Sequence, residues 1–144
     1  ISILCAPSST GEEPYSIAMA LLEAGVTNFS IVGIDINQQA IDAAKEAVYE
    51  TMHLRNLNAS LVARYFDDRD GRYALKQSVK SKVSFRVANI FDSSFASIGK
   101  FDFVFSRNML IYFDKETKVK ARKILEGLLK EGAHDLFFGH ADLF

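Results

Sequence analysis

Along the first fifty residues, short continuous apolar runs alternate with segments whose apolar residues recur at helical spacing. The runs at residues 1–6 and 29–35 are typical of strands that are buried on both faces. Residues 14–24 and 38–49 each carry one apolar stripe, which predicts two helices. The chain therefore opens with a β-α-β-α unit, the pattern of a parallel sheet whose strands are connected by helices.

The middle of the chain follows a different pattern. Asn58 is placed to cap a short helix, and residues 67–72 form a charged turn segment. Residues 73–79 alternate apolar and polar side chains, and a short turn leads into a second alternating stretch at residues 83–87. Alternation of this kind is typical of half-exposed strands. We therefore predict a small antiparallel insertion over residues 65–85, attached to the main sheet.

The last third returns to the first pattern. Residues 101–105 form an apolar run, and Asp114 is placed to cap a helix over residues 115–130 that ends near a glycine. Residues 135–140 form one more apolar run, which predicts a final strand. The pattern over the whole chain, residues 1–144, thus predicts one α/β domain in which helices flank a sheet. Strand patterns lie close to both ends of the sequence, so we expect a fragment of a longer protein.

Composition narrows the function without deciding it. The 144 residues carry a formal net charge of -1, so no overall positive field favours nucleic acid or a membrane surface. No apolar run approaches the roughly 20 residues that cross a bilayer. The single cysteine, Cys5, excludes an internal disulfide and fits a reducing compartment such as the cytoplasm. The three histidines are scattered along the chain, so no metal site is predicted.

The loop after the first strand, S-S-T-G-E-E at residues 8–13, gives the first chemical signal. A loop of small residues at this place can hold a dinucleotide, a nucleoside triphosphate or S-adenosylmethionine. The lysine of a P-loop is absent, and Gly11 is a lone glycine where a dinucleotide fingerprint has three. Two like charges about 4 Å apart repel by about 4 kcal/mol at an effective dielectric constant of about 20. Glu12 and Glu13 therefore disfavour a phosphate at the start of the helix.

S-adenosylmethionine has the opposite polarity, because it carries a sulfonium and an ammonium group and no phosphate. An acidic loop attracts it, and Thr10 and Gly11 are small enough to let it approach the backbone. The alternative is that both glutamates interact with the helix dipole and water alone.

Polar residues at the ends of later strands extend this hypothesis. Asp35 ends the second strand, where a carboxylate accepts hydrogen bonds from ribose hydroxyls, and a cap of the next helix is the alternative. Asn89 and Ile90 are placed to read and pack against an adenine, although a turn-forming asparagine fits equally well. Arg107 and Asn108 follow another strand and offer donors to an acidic substrate. A surface ion pair is the alternative for Arg107.

Six motifs occur in order over nearly the whole chain: S-S-T-G-E-E-P-Y-S-I-A, I-D-I-N, R-Y-F, A-N-I-F, S-R-N-M-L-I-Y-F-D and F-G-H-A-D. Together they resemble the chemotaxis receptor glutamate O-methyltransferases. The pieces T-G-E-E-P-Y-S and R-N-x-x-I-Y-F are far more specific to that family than a generic glycine loop.

The resemblance implies a Rossmann-like class I methyltransferase that uses S-adenosylmethionine, releases S-adenosylhomocysteine and forms methyl esters on glutamate side chains. The implied partner is the cytoplasmic domain of a methyl-accepting chemoreceptor. The insertion at residues 65–85 corresponds to a β-subdomain that docks the receptor C-terminal tail in some members. The implied cofactor residues are Thr10, Gly11, Glu13, Asp35, Asn89, Ile90, Arg107 and Asn108. The implied catalytic residues are Arg107, which positions a carboxylate, and Tyr112, which lies near the transferred methyl group. The alternative for Tyr112 is a core aromatic.

The chain also departs from the family pattern. We expect an N-terminal helical domain and the last strands of the methyltransferase sheet to be absent from it. K-E-G-A-H-D at residues 130–135 replaces a K-P-x-G turn, and Ala141 and Asp142 stand where serine and glutamate are common. Two alternatives stay open: transfer to another protein or a small acid, and a non-catalytic sensor that binds the cofactor without turnover.

Overall fold

The computed structural model describes residues 1–107, 113–132 and 135–138. The strands are β1 (Ser2–Cys5), β2 (Ser30–Asp35), β3 (Val48–Glu50), β4 (Phe66–Arg69), β5 (Arg72–Leu75), β6 (Val83–Val87), β7 (Phe103–Ser106) and β8 (Asp135–Phe138). The helices are α1 (Glu12–Glu23), α2 (Gln38–Glu46), α3 (Ala59–Tyr65), α4 (Gln77–Lys80) and α5 (Lys115–Glu126). None of the helices described here combines the length and the apolar character needed to span a membrane.

Five strands form a parallel sheet in the order β6-β2-β1-β7-β8. β1 lies at its centre, where Leu4 and Cys5 are fully buried, and it pairs with β2 on one side and β7 on the other. All five strands run in one direction, so their carboxyl ends meet at one edge. The predicted α/β fold, a parallel sheet with flanking helices, is confirmed.

Side chains alternate across this sheet and build a core on each of its faces. On one face, Cys5 packs in a cluster with Met19 of α1 and Ile41 of α2. On the other face, Leu4 packs in a cluster with Leu125 of α5. Both faces are therefore covered by helices, which is the arrangement that an all-parallel sheet needs.

A second sheet contains three antiparallel strands in the order β3-β5-β4. Asp70 and Gly71 connect β4 to β5, and their φ angles of 55° and 85° are those of a two-residue hairpin turn. A small antiparallel sheet was predicted and is present, but its strands lie between residues 48 and 75 rather than within residues 65–85.

The predicted pairing of the two alternating stretches is wrong. Residues 83–87 form β6, which pairs in parallel with β2 instead of turning back on residues 73–79. The first stretch is a strand only as far as Leu75, and β5 pairs with β3 on one side and β4 on the other, which leaves no free side for residues 83–87. Residues 77–80 are helical, and this helical turn buries Val79 completely in the core.

Two helices end earlier than their apolar stripes predict. After α2, Ala47 adopts a left-handed backbone conformation with φ 55°, and Val48 then begins β3 instead of extending the helix to residue 49. After α5, the N–H of Phe101 donates to the carbonyl of Leu128, and the carbonyl of Phe101 accepts from the N–H of Lys130. These bonds draw the backbone toward the sheet before residue 130.

The predicted helix caps at Asn58 and Asp114 are confirmed. The Asn58 side chain accepts a hydrogen bond from the N–H of Leu61 at 2.9 Å, and the Asp114 side chain accepts one from the N–H of Thr117 at 2.7 Å. β8 confirms the predicted final strand as far as residue 138, and the two further residues of that prediction lie outside the described residues.

Candidate active site

A cavity of about 1050 Å³ opens at the carboxyl edge of the parallel sheet, which is where ligands bind in open α/β folds. Its wall includes residues 6–9 after β1, residues 34–36 at the end of β2 and residues 88–91 after β6. Glu12 and Glu13 contribute from the start of α1. The parallel direction of the strands thus brings polar residues that are far apart in the sequence to one space.

The loop between β1 and α1 is held against the end of β2. The N–H of Ser8 donates to the carbonyl of Ile34 at 2.7 Å, and the N–H of Ser9 donates to Oδ2 of Asp35 at 2.9 Å. Gly11 has a φ of 96°, and a Cβ at this residue would lie 3.0 to 3.1 Å from three neighbouring side-chain atoms. Both the left-handed backbone and the close neighbours therefore require glycine at this turn.

Asp35 lies where this loop, the end of β2 and the start of α2 meet. Its Oδ2 accepts from Ser9, and its Oδ1 accepts from the N–H of Asn37 at 2.9 Å. The cap of α2 is Asn37, whose Oδ1 accepts from the N–H groups of Gln39 and Ala40, so the cap role considered for Asp35 belongs to its neighbour. An ionised carboxylate has about four acceptor sites, which leaves Asp35 capacity for further donors.

Glu13 and Arg107 form an ion pair in the cavity wall. The Nη1 atom of Arg107 lies 3.3 Å from Oε2 of Glu13, and the Glu13 side chain is 24% exposed. Burial raises the pKa of Glu13, whereas the charge and the hydrogen bond of Arg107 oppose that rise. The surface ion pair considered for Arg107 therefore exists, but it lies in the cavity wall. The Glu13 carboxylate also affects Cys5: burial first, and then this nearby charge, raise the pKa of the Cys5 thiol, which therefore stays neutral.

Five residues predicted from the sequence line the cavity: Glu13, Asp35, Asn89, Ile90 and Arg107. Two more, Thr10 and Gly11, shape the turn into α1 and are not among the lining residues. Asn89 also forms the turn that was one interpretation of it, because its Oδ1 accepts from the N–H of Phe91 at 3.0 Å. Asn108 and Tyr112 lie outside the described residues, and the roles of all these residues stay predictions.

Apolar side chains that the sequence does not predict complete the cavity wall. The rings of Phe91 and Phe113 meet edge to face with centroids 5.6 Å apart, and both line the cavity. Ile36 stands 73% exposed at the same wall. An isoleucine directly after the acidic end of a strand, as in I-D-I-N, is the signal that points to it. These surfaces suit a flat, apolar ring.

The whole chain, residues 1–144, matches the family model described as "CheR methyltransferase, SAM binding domain". The chain belongs to this CheR family. The cofactor of the CheR domain is S-adenosylmethionine.

Curated relatives agree with the family match. The CheR domain is 42% identical over 99% of its length to a probable biofilm formation methyltransferase, WspC, of Pseudomonas putida, and covers 34% of that protein. It is 37% identical over 99% of its length to a chemotaxis protein methyltransferase of Campylobacter jejuni, and 40% identical to chemotaxis protein methyltransferase 1 of Pseudomonas aeruginosa. It spans 55% and 54% of those two proteins, about half of their length.

Solved structures share the fold. PKMT2 from Rickettsia typhi, in complex with AdoHcy, matches 92% of the CheR domain with a TM-score of 0.57 and 16% identity, over 19% of the solved chain. An O-methyltransferase family protein from Burkholderia thailandensis matches 90% of the domain with a TM-score of 0.56 and 16% identity, over 29% of that chain. These matches support the class I methyltransferase fold.

The chemistry of the cavity fits S-adenosylmethionine. The carboxylates of Glu12, Glu13 and Asp35 suit ammonium, sulfonium and hydroxyl groups and repel phosphate. Arg107 is the one cationic residue in the described lining, and its charge is already paired with Glu13. The apolar wall at Ile90 and its neighbours suits an adenine. The two glutamates that the sequence singled out therefore line a cavity whose charge suits this cofactor.

The Glu13–Arg107 pair predicts a pH dependence of cofactor affinity. A ligand ammonium group favours ionised Glu13, and the raised pKa of Glu13 means that protonation begins at a higher pH than for an ordinary glutamate. Affinity for S-adenosylhomocysteine should therefore fall as the pH drops through that range. Arg107→Gln removes the charge that lowers the pKa of Glu13, so the loss should begin at a higher pH. Calorimetric titrations at a series of pH values measure this shift.

A matched control for this experiment is Arg64→Gln. Arg64 forms an ion pair with Glu23, and neither residue belongs to the described cavity lining. The control removes the same charge from the protein and should leave the pH profile of binding unchanged. Identical profiles for Arg107→Gln and the unaltered protein would show that the pair does not control Glu13.

Proposed function

We propose that this CheR domain is the cofactor-binding part of an enzyme that transfers a methyl group from S-adenosylmethionine to glutamate side chains of chemoreceptors. The main support is the meeting of Glu13, Asp35 and Arg107 around one cavity at the carboxyl edge of the sheet. An acceptor in the cytoplasmic part of a receptor implies that the enzyme is cytoplasmic.

Each of the cavity residues would bind a different part of the cofactor. Asp35 accepts hydrogen bonds from the ribose hydroxyls, for which its two oxygens keep free acceptor sites. Glu13 faces the ammonium group of the amino acid part. Asn89 and Ile90 contact the adenine, and Thr10 with Gly11 sets the path of the loop. The family resemblance assigns Asn108 to the cofactor as well.

The proposed reaction depends on the alignment of the reacting atoms and needs no proton transfer. S-adenosylmethionine supplies a methyl group activated by its sulfonium. A glutamate side chain, with a pKa of about 4.3 in model compounds, is already ionised at neutral pH and needs no general base. Arg107 would position a carboxylate by a charge-assisted hydrogen bond, and the family resemblance assigns Tyr112 to the methyl transfer step. Reacting atoms must be held roughly 3–3.5 Å apart and in line, which a preformed cavity favours.

A methyl-transfer assay on the intact protein tests this function. Purified protein, S-adenosylmethionine labelled in the methyl group and chemoreceptor-containing membranes should give label on the receptors that mild base releases as methanol. Receptors whose acceptor glutamates are replaced by alanine serve as the control and should stay unlabelled. Cofactor binding without any base-labile label would instead support a non-catalytic sensor.

The identity of the methyl acceptor needs a separate test. The biofilm-related relative is 42% identical to the CheR domain, and the chemotaxis relatives are 37% and 40% identical, so overall similarity does not choose between acceptors. Labelling of total membrane and soluble proteins separates them, because each labelled band identifies an acceptor. Label confined to a soluble protein or a small acid would contradict receptor methylation.

β4 is a suitable place for a receptor tail to dock as an added strand. It pairs with β5 on one side, and the strand order leaves its other side at the edge of the small sheet among the described strands. Because the two-residue turn makes Arg69 and Arg72 the first hydrogen-bonded pair, the backbone N–H of Asp68 points away from β5. A peptide with the receptor's C-terminal sequence should therefore slow hydrogen exchange at residues 66–69. Unchanged exchange there would remove the docking step and leave methyl transfer untouched.

A further inference from the structure

One buried tyrosine connects the small antiparallel sheet to the cofactor loop. Tyr49 lies in β3, where it pairs with Tyr73 of β5, and it is 6% exposed. Its hydroxyl donates a hydrogen bond of 2.8 Å to the carbonyl of Thr10, at the tip of the loop between β1 and α1. The contact joins residues that are 39 positions apart, so the fold rather than the local sequence creates it.

One residue of the loop has a backbone conformation that its surroundings must hold. Ser9 has a φ of 49°, in the left-handed region that residues other than glycine rarely adopt, whereas Gly11 adopts its φ of 96° without strain. A non-glycine residue in that region is strained and persists only when its surroundings hold it. The end of β2 holds the first half of the loop through Ser8 and Ser9. Tyr49 holds the second half, directly before Glu12 and Glu13.

We infer that Tyr49 is a positioning residue for the cofactor: through Thr10, it lets the small sheet keep the acidic loop in its binding shape. The inference rests on the proposed function of the cavity. A loop that leaves this shape for part of the time binds more weakly in proportion to the population that remains competent. Tyr49 acts before the cofactor arrives, so its loss weakens binding and leaves the later methyl transfer step largely intact.

A second tyrosine in the same cluster provides a close control. Tyr15 packs against Tyr49 with ring centroids 6.5 Å apart, and its hydroxyl donates to the carbonyl of Ala44 at 2.7 Å. Tyr15→Phe and Tyr49→Phe each remove one buried hydroxyl from a backbone carbonyl and keep the ring. A purely structural role predicts equal consequences for the two variants, and a positioning role predicts a difference in cofactor affinity alone.

Calorimetry with S-adenosylhomocysteine on the intact protein tests the inference. Tyr49→Phe should raise the dissociation constant about three- to tenfold, the effect of one hydrogen bond, and Tyr15→Phe should change it less than twofold. In the methyl-transfer assay, Tyr49→Phe should raise KM for S-adenosylmethionine by a similar factor with kcat nearly unchanged. Equal affinities for the two folded variants would overturn the inference. An unaltered protein that binds no S-adenosylhomocysteine would overturn the proposed function, and this inference with it.

Hydrogen exchange on the unaltered protein gives a test that does not depend on a variant folding. Coupling between sites is reciprocal, so a ligand that fixes the loop must also stabilise the strand that holds it. S-adenosylhomocysteine should therefore slow exchange at residues 48–50 together with residues 8–13. Slowing at the loop with no change in β3 would overturn the inference.

Discussion

Replacement of Gly33 by alanine is expected to lower the free energy of unfolding by about 2–3 kcal/mol, as overpacking of a dense core does. A Cβ at residue 33 would lie 2.7 Å from two ring atoms of Phe85 and 2.9 Å from the Cβ of Ser8. The Phe85 ring has little room to move, because it also packs edge to face against Tyr15 with centroids 5.4 Å apart. Urea denaturation followed by circular dichroism measures the loss.

Gly33→Ala should also weaken binding of S-adenosylhomocysteine, since a shift of Ser8 moves the start of the cofactor loop. Gly127→Ala is the matched control, because a Cβ there meets its nearest neighbours at 3.4 and 3.5 Å and the residue has an ordinary helical φ of -66°. The control should change stability by less than about 0.5 kcal/mol. If both variants unfold at the same urea concentration as the unaltered protein, the close packing at Gly33 does not limit stability.

The sequence predicts the central strands and the helices around them because their periodicity follows directly from burial. β1 and β2 are buried on both faces and read as continuous apolar runs, and α1 carries one apolar stripe. β6 shows where this reasoning stops. Its alternating pattern correctly indicates a half-exposed strand, since Phe85 is buried between exposed neighbours. The pattern cannot say that its partner is β2, because partner choice depends on contacts distant in the sequence.

The small sheet was only partly predictable for two physical reasons. β3 has three residues, too few to show an alternation, and the stripe of α2 continues into it through Val48. The turn between β4 and β5, by contrast, can be recognised from the sequence. Asp-Gly at residues 70–71 is a strong indicator of a two-residue hairpin, and it locates β4 and β5 on either side.

The polar residues of the candidate site follow from one rule, whereas most of its apolar residues do not. Residues at the ends of parallel strands meet at one edge, which brings Asp35, Asn89 and Arg107 to the cavity. Phe91 and Phe113 read as ordinary core aromatics in the sequence. The hydroxyl bond of Tyr49 is equally invisible, since nothing near residue 49 indicates a partner at residue 10.

Asp35→Ala is expected to weaken binding of S-adenosylhomocysteine about 10- to 100-fold, the range for losing a hydrogen bond to a charged group. Two effects add. The variant removes the carboxylate proposed to accept from the ribose hydroxyls, and it releases the N–H of Ser9 and the N–H of Asn37 from their acceptor. The second effect loosens the cofactor loop at its start. Calorimetry on the intact variant measures the combined loss.

Asp42→Ala separates this effect from a general loss of charge. Asp42 lies on α2 and accepts a hydrogen bond from Gln38 at 2.8 Å, and it is not among the described residues of the cavity wall. Its removal takes the same charge from the chain and should leave affinity within about twofold of the unaltered protein. Once the cofactor saturates the enzyme, Asp35→Ala and Asp42→Ala should transfer methyl groups at the same rate, because the role proposed for Asp35 is in cofactor binding. Affinity for Asp35→Ala equal to that for Asp42→Ala would place the ribose elsewhere and remove the carboxylate at the end of β2 from the site.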